Sequence, residues 1–453
     1  MDYERIDAAL RQASDTRRVV IGVKTLDGVD ATFADSFGER AAVVIADETT
    51  FAVAGQAVHE HLRAAGRTVF APIIFPSAPA LYADFENVLV LETQLRQHDA
   101  TPVVVGSGTL NDLTKLAAYR AERQYMCIGT AASMDGYTAF GAAITKDGFK
   151  QTMTCPAPRA LLADMEIVAQ APPQMHATGY GDLLGKITAG ADWILADALE
   201  AEPIDDLAWS LVQDSLRDWT AQPDRVRVGD HQAVGHLFEG LIMSGVAMQI
   251  SASSRPASGS EHRFSHLWEM EALGHNHPAI PHGFKVGIGT IAAAALYERV
   301  LTRYLDQLDI DALCAQWPSC DETERTVRAM HDLPLLAENA VAESLAKYIS
   351  PQQLRTRLQM LQARWPQIRS KLQAQLMTAN ELRAKLQAVG CPTEPTAIGL
   401  DMDQVRASYA RARTIRARYT VLDLVNETGI LDACVEELFT PGGYWFEHAA
   451  VLV

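Results

Sequence analysis

The chain has 453 residues, 48% apolar and 21% charged, an ordinary globular composition but too long for one simple core, so two domains are expected. Its 39 Lys and Arg stand against 56 Asp and Glu, and the formal net charge of −17 excludes the basic footprint of a nucleic-acid binder. No apolar run approaches the roughly 20 residues that span a bilayer. The opening MDYERIDAALRQASDTRR has no secretory core, and the six cysteines lack CxxC spacing, so a cytoplasmic protein with reduced cysteines is expected.

From residue 18 to about 170, short β-branched runs alternate with helical segments. RVVIGVK (18–24), AAVVIAD (41–47), TVFAPII (68–74), NVLVLE (87–92), TPVVVGSG (101–108) and YMCIGT (125–130) read as strands, and residues 51–66 as a helix. This pattern predicts a mostly parallel sheet covered on both faces, an α/β nucleotide-binding domain of the Rossmann-like kind over 1–172. Strand 101–105 runs into GSGTLNDLTK, where Gly106 and Gly108 would let backbone N–H groups approach a pyrophosphate at a helix N-terminus. The turn is neither GxGxxG nor a Walker A loop, and glycine there also serves purely steric ends. Asp47 is placed either to bind an adenosine ribose or to cap the helix that follows it. Thr130, Ser133 and Asp135 follow a strand end, where ligand contacts and plain turn chemistry use the same residue types.

From 173 to 453 helices take over, which predicts an all-α second domain with a helical extension from about 300. Residues 175–199 read as a buried helix carrying Asp182 and Lys186 four apart on one face, an uncommon charged pair among apolar neighbours. Residues 233–262 read as a long apolar helix. Five of the thirteen histidines (His262, His266, His275, His277, His282) fall between 254 and 290. His262 and His266 share a helix face, and His282 opens another helix; with a carboxylate from elsewhere, such a cluster can clamp a divalent cation. Farther on, Leu354, Leu358, Leu361, Trp365, Ile368, Leu372 and Leu376 form a helical stripe that Pro366 should kink or split. Arg355, Arg357, Arg364, Arg369 and Lys371 lie among no acids between 352 and 380, a solvated face or a partner-binding one. CPTEPTAIGLD (391–401) reads as a connector before two short terminal helices.

GSGTLNDLTK (106–115), TAASMDGYT (130–138), GYGDLLGKITAGADW (179–193), SRPASGSEHRFSH (254–266), PHGFKVGIGT (281–290) and RYTVLDL (418–424) occur in an order that resembles the iron-containing alcohol dehydrogenase and dehydroquinate synthase superfamily. Within it they look most like the bacterial branch of the glycerol-1-phosphate dehydrogenases, over most of the chain from about residue 40. The resemblance implies a dehydroquinate synthase-like fold, with a helical metal-binding domain after the α/β one. It implies that Asp182, His262 and His282 ligate one divalent metal, zinc first with nickel or iron as alternatives, while His266 lies outside the first shell. It places Gly106, Ser107, Gly108, Thr109 and Asp112 along the pyrophosphate of NAD or NADP, Thr130 and Ser133 near the cofactor, Asp47 at the ribose and Asp135 by nicotinamide and substrate. Ser107 stands where the family usually has the middle glycine of three. The implied reaction is hydride transfer between dihydroxyacetone phosphate and sn-glycerol 1-phosphate, by a homo-oligomer, a dimer first. Lys186, Arg255 and Lys285 are candidates to meet the phosphate, or equally to balance nearby acids. The rivals are another polyol dehydrogenase of the superfamily, a dehydroquinate synthase-like cyclase that regenerates its NAD, and a non-catalytic binder that keeps the fold.

Overall fold

The computed structural model of the chain describes residues 3–146, 149–273 and 280–449, so the expected positions His275 and His277 lie outside it. The β-branched runs form β1 (Arg18–Gly22), β2 (Ala42–Asp47), β3 (Ile73–Phe75), β4 (Thr101–Gly106), β5 (Met126–Gly129), β6 (Ala142–Lys146), β7 (Phe149–Met153) and β8 (Ala160–Asp164). Six of these pair in the order β1-β8-β5-β4-β2-β3, every pair parallel, while β6 and β7 make a separate antiparallel hairpin. In β2, Val44 and Ala46 join the cluster that includes Val29, Phe33, Val58 and Leu62. Val43 and Ile45 point to the opposite face and are equally buried at 0% exposure, so the sheet is covered on both sides. β2 passes outward to the edge strand β3, and the chain then returns to β4 on the other side of β2. That reversal is a topological switch point, and it sets the carboxyl ends of β2 and β4, Asp47 and Gly106, beside one crevice.

Helices α1 (Gln56–Ala64), α2 (Phe85–Leu95) and α3 (Gly108–Arg120) fall between these strands. Helix α2 corrects the expectation of a strand at 87–92. Its buried Val88, Leu91 and Leu95 keep helical spacing while Leu89 and Val90 are exposed, a period that the unbroken apolar run conceals. The second half supplies α4 (Pro173–Leu184), α5 (Lys186–Ala198), α6 (His231–Ser251), α7 (Ser260–Leu273), α8 (His282–Val300), α9 (Pro351–Gln375), α10 (Val421–Glu427) and α11 (Leu431–Leu438). The buried helix expected over 175–199 is therefore two helices that meet at Gly185. The one expected over 233–262 stops at Ser251, where Ala252 turns left-handed at φ 47°. α6 is long and apolar enough to cross a membrane, yet 89% of its most apolar window is buried within the protein, as in a core helix.

α9 runs through Pro366 without a break, because the proline sits on the exposed face, where solvent can meet the carbonyl that loses its N–H partner. Its leucine stripe is buried as expected from Leu354 to Leu372. Three of its arginines are paired within the chain: Arg355 with Asp311 (2.6 Å), Arg357 with Glu427 (2.5 Å) and Arg364 with Glu200 (2.8 Å). The Arg355 and Arg364 pairs are solvent-exposed, as on a solvated face, while the Arg357–Glu427 pair is largely buried.

Two compact units result, each discontinuous. One holds Met1–Leu183, Asp206–Ala257 and Ala388–Gly390, the other Leu184–Asp205, Ser258–Gln387 and Cys391–Val453. The division does not fall at 172/173, because α4 and α6 pack on the loops at the strand ends of the sheet. Thr138 Oγ1, for instance, donates to Ile242 O at 2.7 Å.

Candidate metal centre and cofactor cavity

Asp182 is 0% exposed near the end of α4. α4 lies hard against the loop after β5: a Cβ at Gly179 would stand 2.1 Å from the Ala132 carbonyl oxygen, so only glycine permits the approach. From that loop the Asp135 N–H donates to Asp182 Oδ2 at 3.0 Å, while Ser244 Oγ donates to Asp135 Oδ2 at 3.1 Å. Asp135 thus sits directly beside the Asp182 carboxylate.

His262 and His266 lie one turn apart on α7, their rings 5.8 Å apart between centroids. α8 starts at His282 and packs closely on α7, since a Cβ at Gly289 would meet the Glu261 carbonyl oxygen at 2.4 Å. The His282 ring consequently lies 5.4 Å from that of His262 and 5.9 Å from that of His266. Asp182, His262 and His282 each offer a ligand atom, all within 4.8 Å of one another, the first two buried and the third half-buried. His266 is outside this set.

Two carboxylates that the sequence did not single out orient the imidazoles. His262 Nδ1 shares a hydrogen bond with Glu261 Oε1 at 2.8 Å, and His282 Nδ1 one with Glu269 Oε1 at 3.0 Å. With Nδ1 so engaged, Nε2 is the nitrogen each ring presents to a metal. Glu261 is fully buried. Burial alone would raise its pKa, but the His262 ring, the Gly259 N–H (2.6 Å) and the Thr188 hydroxyl (2.8 Å) together hold it below the usual range. For His266, burial and then the Arg416 guanidinium hold the imidazole well below its ordinary pKa. One carboxylate and two held imidazoles suit a divalent cation that accepts nitrogen and oxygen ligands, with positions left for substrate.

Of the cations considered for a phosphate, Lys186 and Arg255 are buried at 0% and 1% exposure. Lys285 pairs with Glu269 at 3.1 Å and donates to the Ile280 carbonyl. For Lys285 the charge-balancing role is the one the contacts support.

At the switch point, Asp47, Thr49, Ser77, Ala80, Leu81, Ser107, Thr109 and Leu110 line a cavity of about 220 Å³. Ser107 is the N-cap of the thirteen-residue helix α3 and makes no side-chain cap bond, and it lines the cavity together with Thr109 and Leu110 of the helix's first turn. Asp47 is a helix cap, its Oδ1 accepting the Thr50 N–H at 2.7 Å, and it is also among the residues that line the cavity. Gly106 and Gly108 flank Ser107, and Thr130, whose N–H donates to Gly106 O at 3.1 Å, begins the loop beside them. Ser133 is buried next to Tyr137, hydroxyl to hydroxyl at 3.4 Å. Asp112 turns elsewhere, accepting the Ala143 N–H at 3.3 Å and pairing with Lys115 at 3.6 Å. Lys115, also unforeseen, is buried and donates to the carbonyls of Gly136, Ala139 and Gly141, each at 2.9 Å, which fixes the loop that carries Asp135. A larger open concavity of about 510 Å³ along Glu322, Arg325 and Met330 contains none of these residues.

Residues 20–172 match the family model for iron-containing alcohol dehydrogenase. The NAD(P)+ glycerol-1-phosphate dehydrogenase of Halalkalibacterium halodurans is 38% identical over 256 residues, which span 56% of this chain and 64% of that protein. The protein of the same name from Bacillus velezensis is 30% identical over 396 residues, 86% of each chain. The crystal structure of a probable glycerol dehydrogenase from Sinorhizobium meliloti 1021 shares the fold at a TM-score of 0.57 and 15% identity, over 93% of this chain and 98% of that one. A glycine-turn cavity, an Asp–His–His set and 30% identity over 86% of such a relative converge: the chain belongs to the glycerol-1-phosphate dehydrogenase family of the iron-containing alcohol dehydrogenase superfamily.

Proposed function

We propose that the protein is an NAD(P)-dependent dehydrogenase that interconverts dihydroxyacetone phosphate and sn-glycerol 1-phosphate. The observation that carries this reading is the convergence of Asp182, His262 and His282 within 4.8 Å, in a chain of this family. When bound at these residues, a divalent cation supplies Lewis acidity to the substrate oxygen, and the reduced nicotinamide supplies hydride to its carbonyl carbon. Zinc is the proposed ion, with nickel or iron as alternatives. The chain's own residues set the geometry. The Asp135 N–H fixes the Asp182 carboxylate, and Glu261 and Glu269 fix the tautomer and tilt of the two rings. Gly106, Ser107, Gly108 and Thr109 bring the α3 amides to a pyrophosphate, and Thr130, Ser133 and Asp112 hold the surrounding loops. The Asp47 carboxylate accepts ribose hydroxyls and repels a 2′-phosphate, which favours NAD over NADP. We further propose a cytoplasmic homodimer, in keeping with six unbridged cysteines.

The test follows NADH or NADPH absorbance on adding dihydroxyacetone phosphate to metal-loaded protein. Oxidation of the cofactor, reversed by sn-glycerol 1-phosphate but not by glycerol, is expected. Turnover of glycerol alone would transfer the reading to another polyol dehydrogenase, and no net change in cofactor would leave the cyclase.

A further inference from the structure

α7 and α8 run antiparallel, with Glu261 against Gly289 toward one end of the pair and Glu269 against His282 at the other. Helices key into one another through rows of side chains, and at Gly289 there is no side chain to do so. That contact brings the helices close without fixing where each stands along its axis. The axial register still decides whether His262 faces His282. A slip of one residue would carry His262 about 1.5 Å along α7, against the roughly 0.2 Å that metal–ligand distances tolerate.

One carboxylate outside the ligand set ties the pair at the Glu261 end. Asp192 on α5 is 0% exposed. Its Oδ2 accepts the N–H of Ser260, the first residue of α7, at 2.6 Å, and its Oδ1 accepts the Tyr297 hydroxyl of α8 at 2.7 Å. The same Oδ1 accepts the N–H of Val421, the first residue of α10, at 2.7 Å. Ser260, Tyr297 and Val421 are also 0% exposed, so water cannot stand in for the carboxylate. Gly259 makes room for it, since a Cβ there would lie 2.6 Å from Asp192 Oδ2. The C-terminal stretch grips the same turn at two further points. Arg418 Nη1 donates to Ser258 O at 2.8 Å just before α7, and Arg263 Nη1, next to His262, donates to Asp423 Oδ2 at 2.9 Å.

We propose that Asp192 is a positioning residue for the metal site and that residues 418–423 are the brace it anchors. Together they hold α7 in the register on α8 at which His262 and His282 meet one cation. The proposal rests on the metal reading of Asp182, His262 and His282. It gives the region after residue 300 a task at the site without placing any of its side chains on the substrate.

The experiment compares full-length wild type with Asp192→Asn, Tyr297→Phe and, as a control, Val327→Ala, which loosens a separate cluster with Ala340 and Val341. An amide at 192 keeps the shape but has one oxygen, so either the α7 amide or the Tyr297 and Val421 donors lose their acceptor. Zinc affinity is read by chelator competition, ligand geometry by the visible absorption of Co(II)-loaded protein, and stability by denaturant titration of the metal-free chains. Asp192→Asn should bind zinc about 10- to 100-fold more weakly and shift the Co(II) bands. Tyr297→Phe should move both in the same direction by less, and Val327→Ala should lose stability yet keep wild-type affinity and bands. Wild-type affinity and bands in a folded Asp192→Asn, or an equal loss of affinity in Val327→Ala, would overturn the proposal. If Asp192→Asn does not fold, Tyr297→Phe decides, and unchanged affinity and bands there overturn it. If wild type takes up one zinc and the variants match it, the register claim fails and the metal reading stands. If wild type takes up none, the metal reading fails and this proposal falls with it.

Discussion

Glu261 shows how a single side chain sets the quality of the metal site. It accepts from the His262 ring, the Gly259 N–H and the Thr188 hydroxyl, so its carboxylate has no freedom to turn away. Glu261→Gln keeps the shape but weakens the acceptor, and metal affinity should fall about 10- to 100-fold in chelator competition. An unchanged affinity would mean that His262 needs no carboxylate behind it. Asp182 was legible in the sequence because a carboxylate in an apolar helix lacks an ordinary explanation, and His262 and His282 because histidines rarely crowd. Glu261 was not legible. Side chains one apart on a helix diverge by about 100°, and Glu261 reaches His262 only because it sits in the first turn of α7, beside Gly259.

At the scale of elements, α10 is joined to α7 through a buried charge cluster. Asp423 takes Arg263 Nη1 at 2.9 Å and Lys347 Nζ at 2.7 Å, and also caps its own helix by accepting the Thr420 N–H at 2.9 Å. Burial alone would raise the Asp423 pKa, but Lys347, Arg263 and Arg413 outweigh it and hold the carboxyl down at about 2. The folded pKa lies below the unfolded one, so the contribution is complete above roughly pH 4 and is lost as pH falls toward the folded value. Asp423→Asn should therefore lower stability at neutral pH by about 2 kcal/mol or more, since it also strands buried cations. Its deficit against wild type should shrink between about pH 4 and 2 in denaturant titrations at stepped pH. A deficit that stays constant through that window would place the stabilisation in packing instead of charge. Strands, helices and the glycine turn at β4–α3 were legible from their periodicity. The errors came where period and composition disagree: α2 hides its spacing inside NVLVLE, and α9 tolerates Pro366 because that face meets solvent.

Across the whole molecule, the chain order fixes what each half contributes. A parallel sheet with its reversal between β2 and β4 gives a crevice for a dinucleotide, and the helices after residue 172 give ligands far apart in sequence. That Asp182, His262 and His282 come together was foreseeable only through resemblance, because periodicity places residues on faces but does not say which faces meet. Gly179 lets α4 close on the loop after β5 and Gly289 lets α8 close on α7, and a glycine's packing partner cannot be read from a single sequence. The central claim is that these three side chains hold one cation, and elemental analysis of wild type beside Asp182→Asn tests it most directly. Wild type should carry about one equivalent of divalent metal per chain, and the variant less than about a tenth of that after dialysis. An equal metal content in the two proteins would contradict the account.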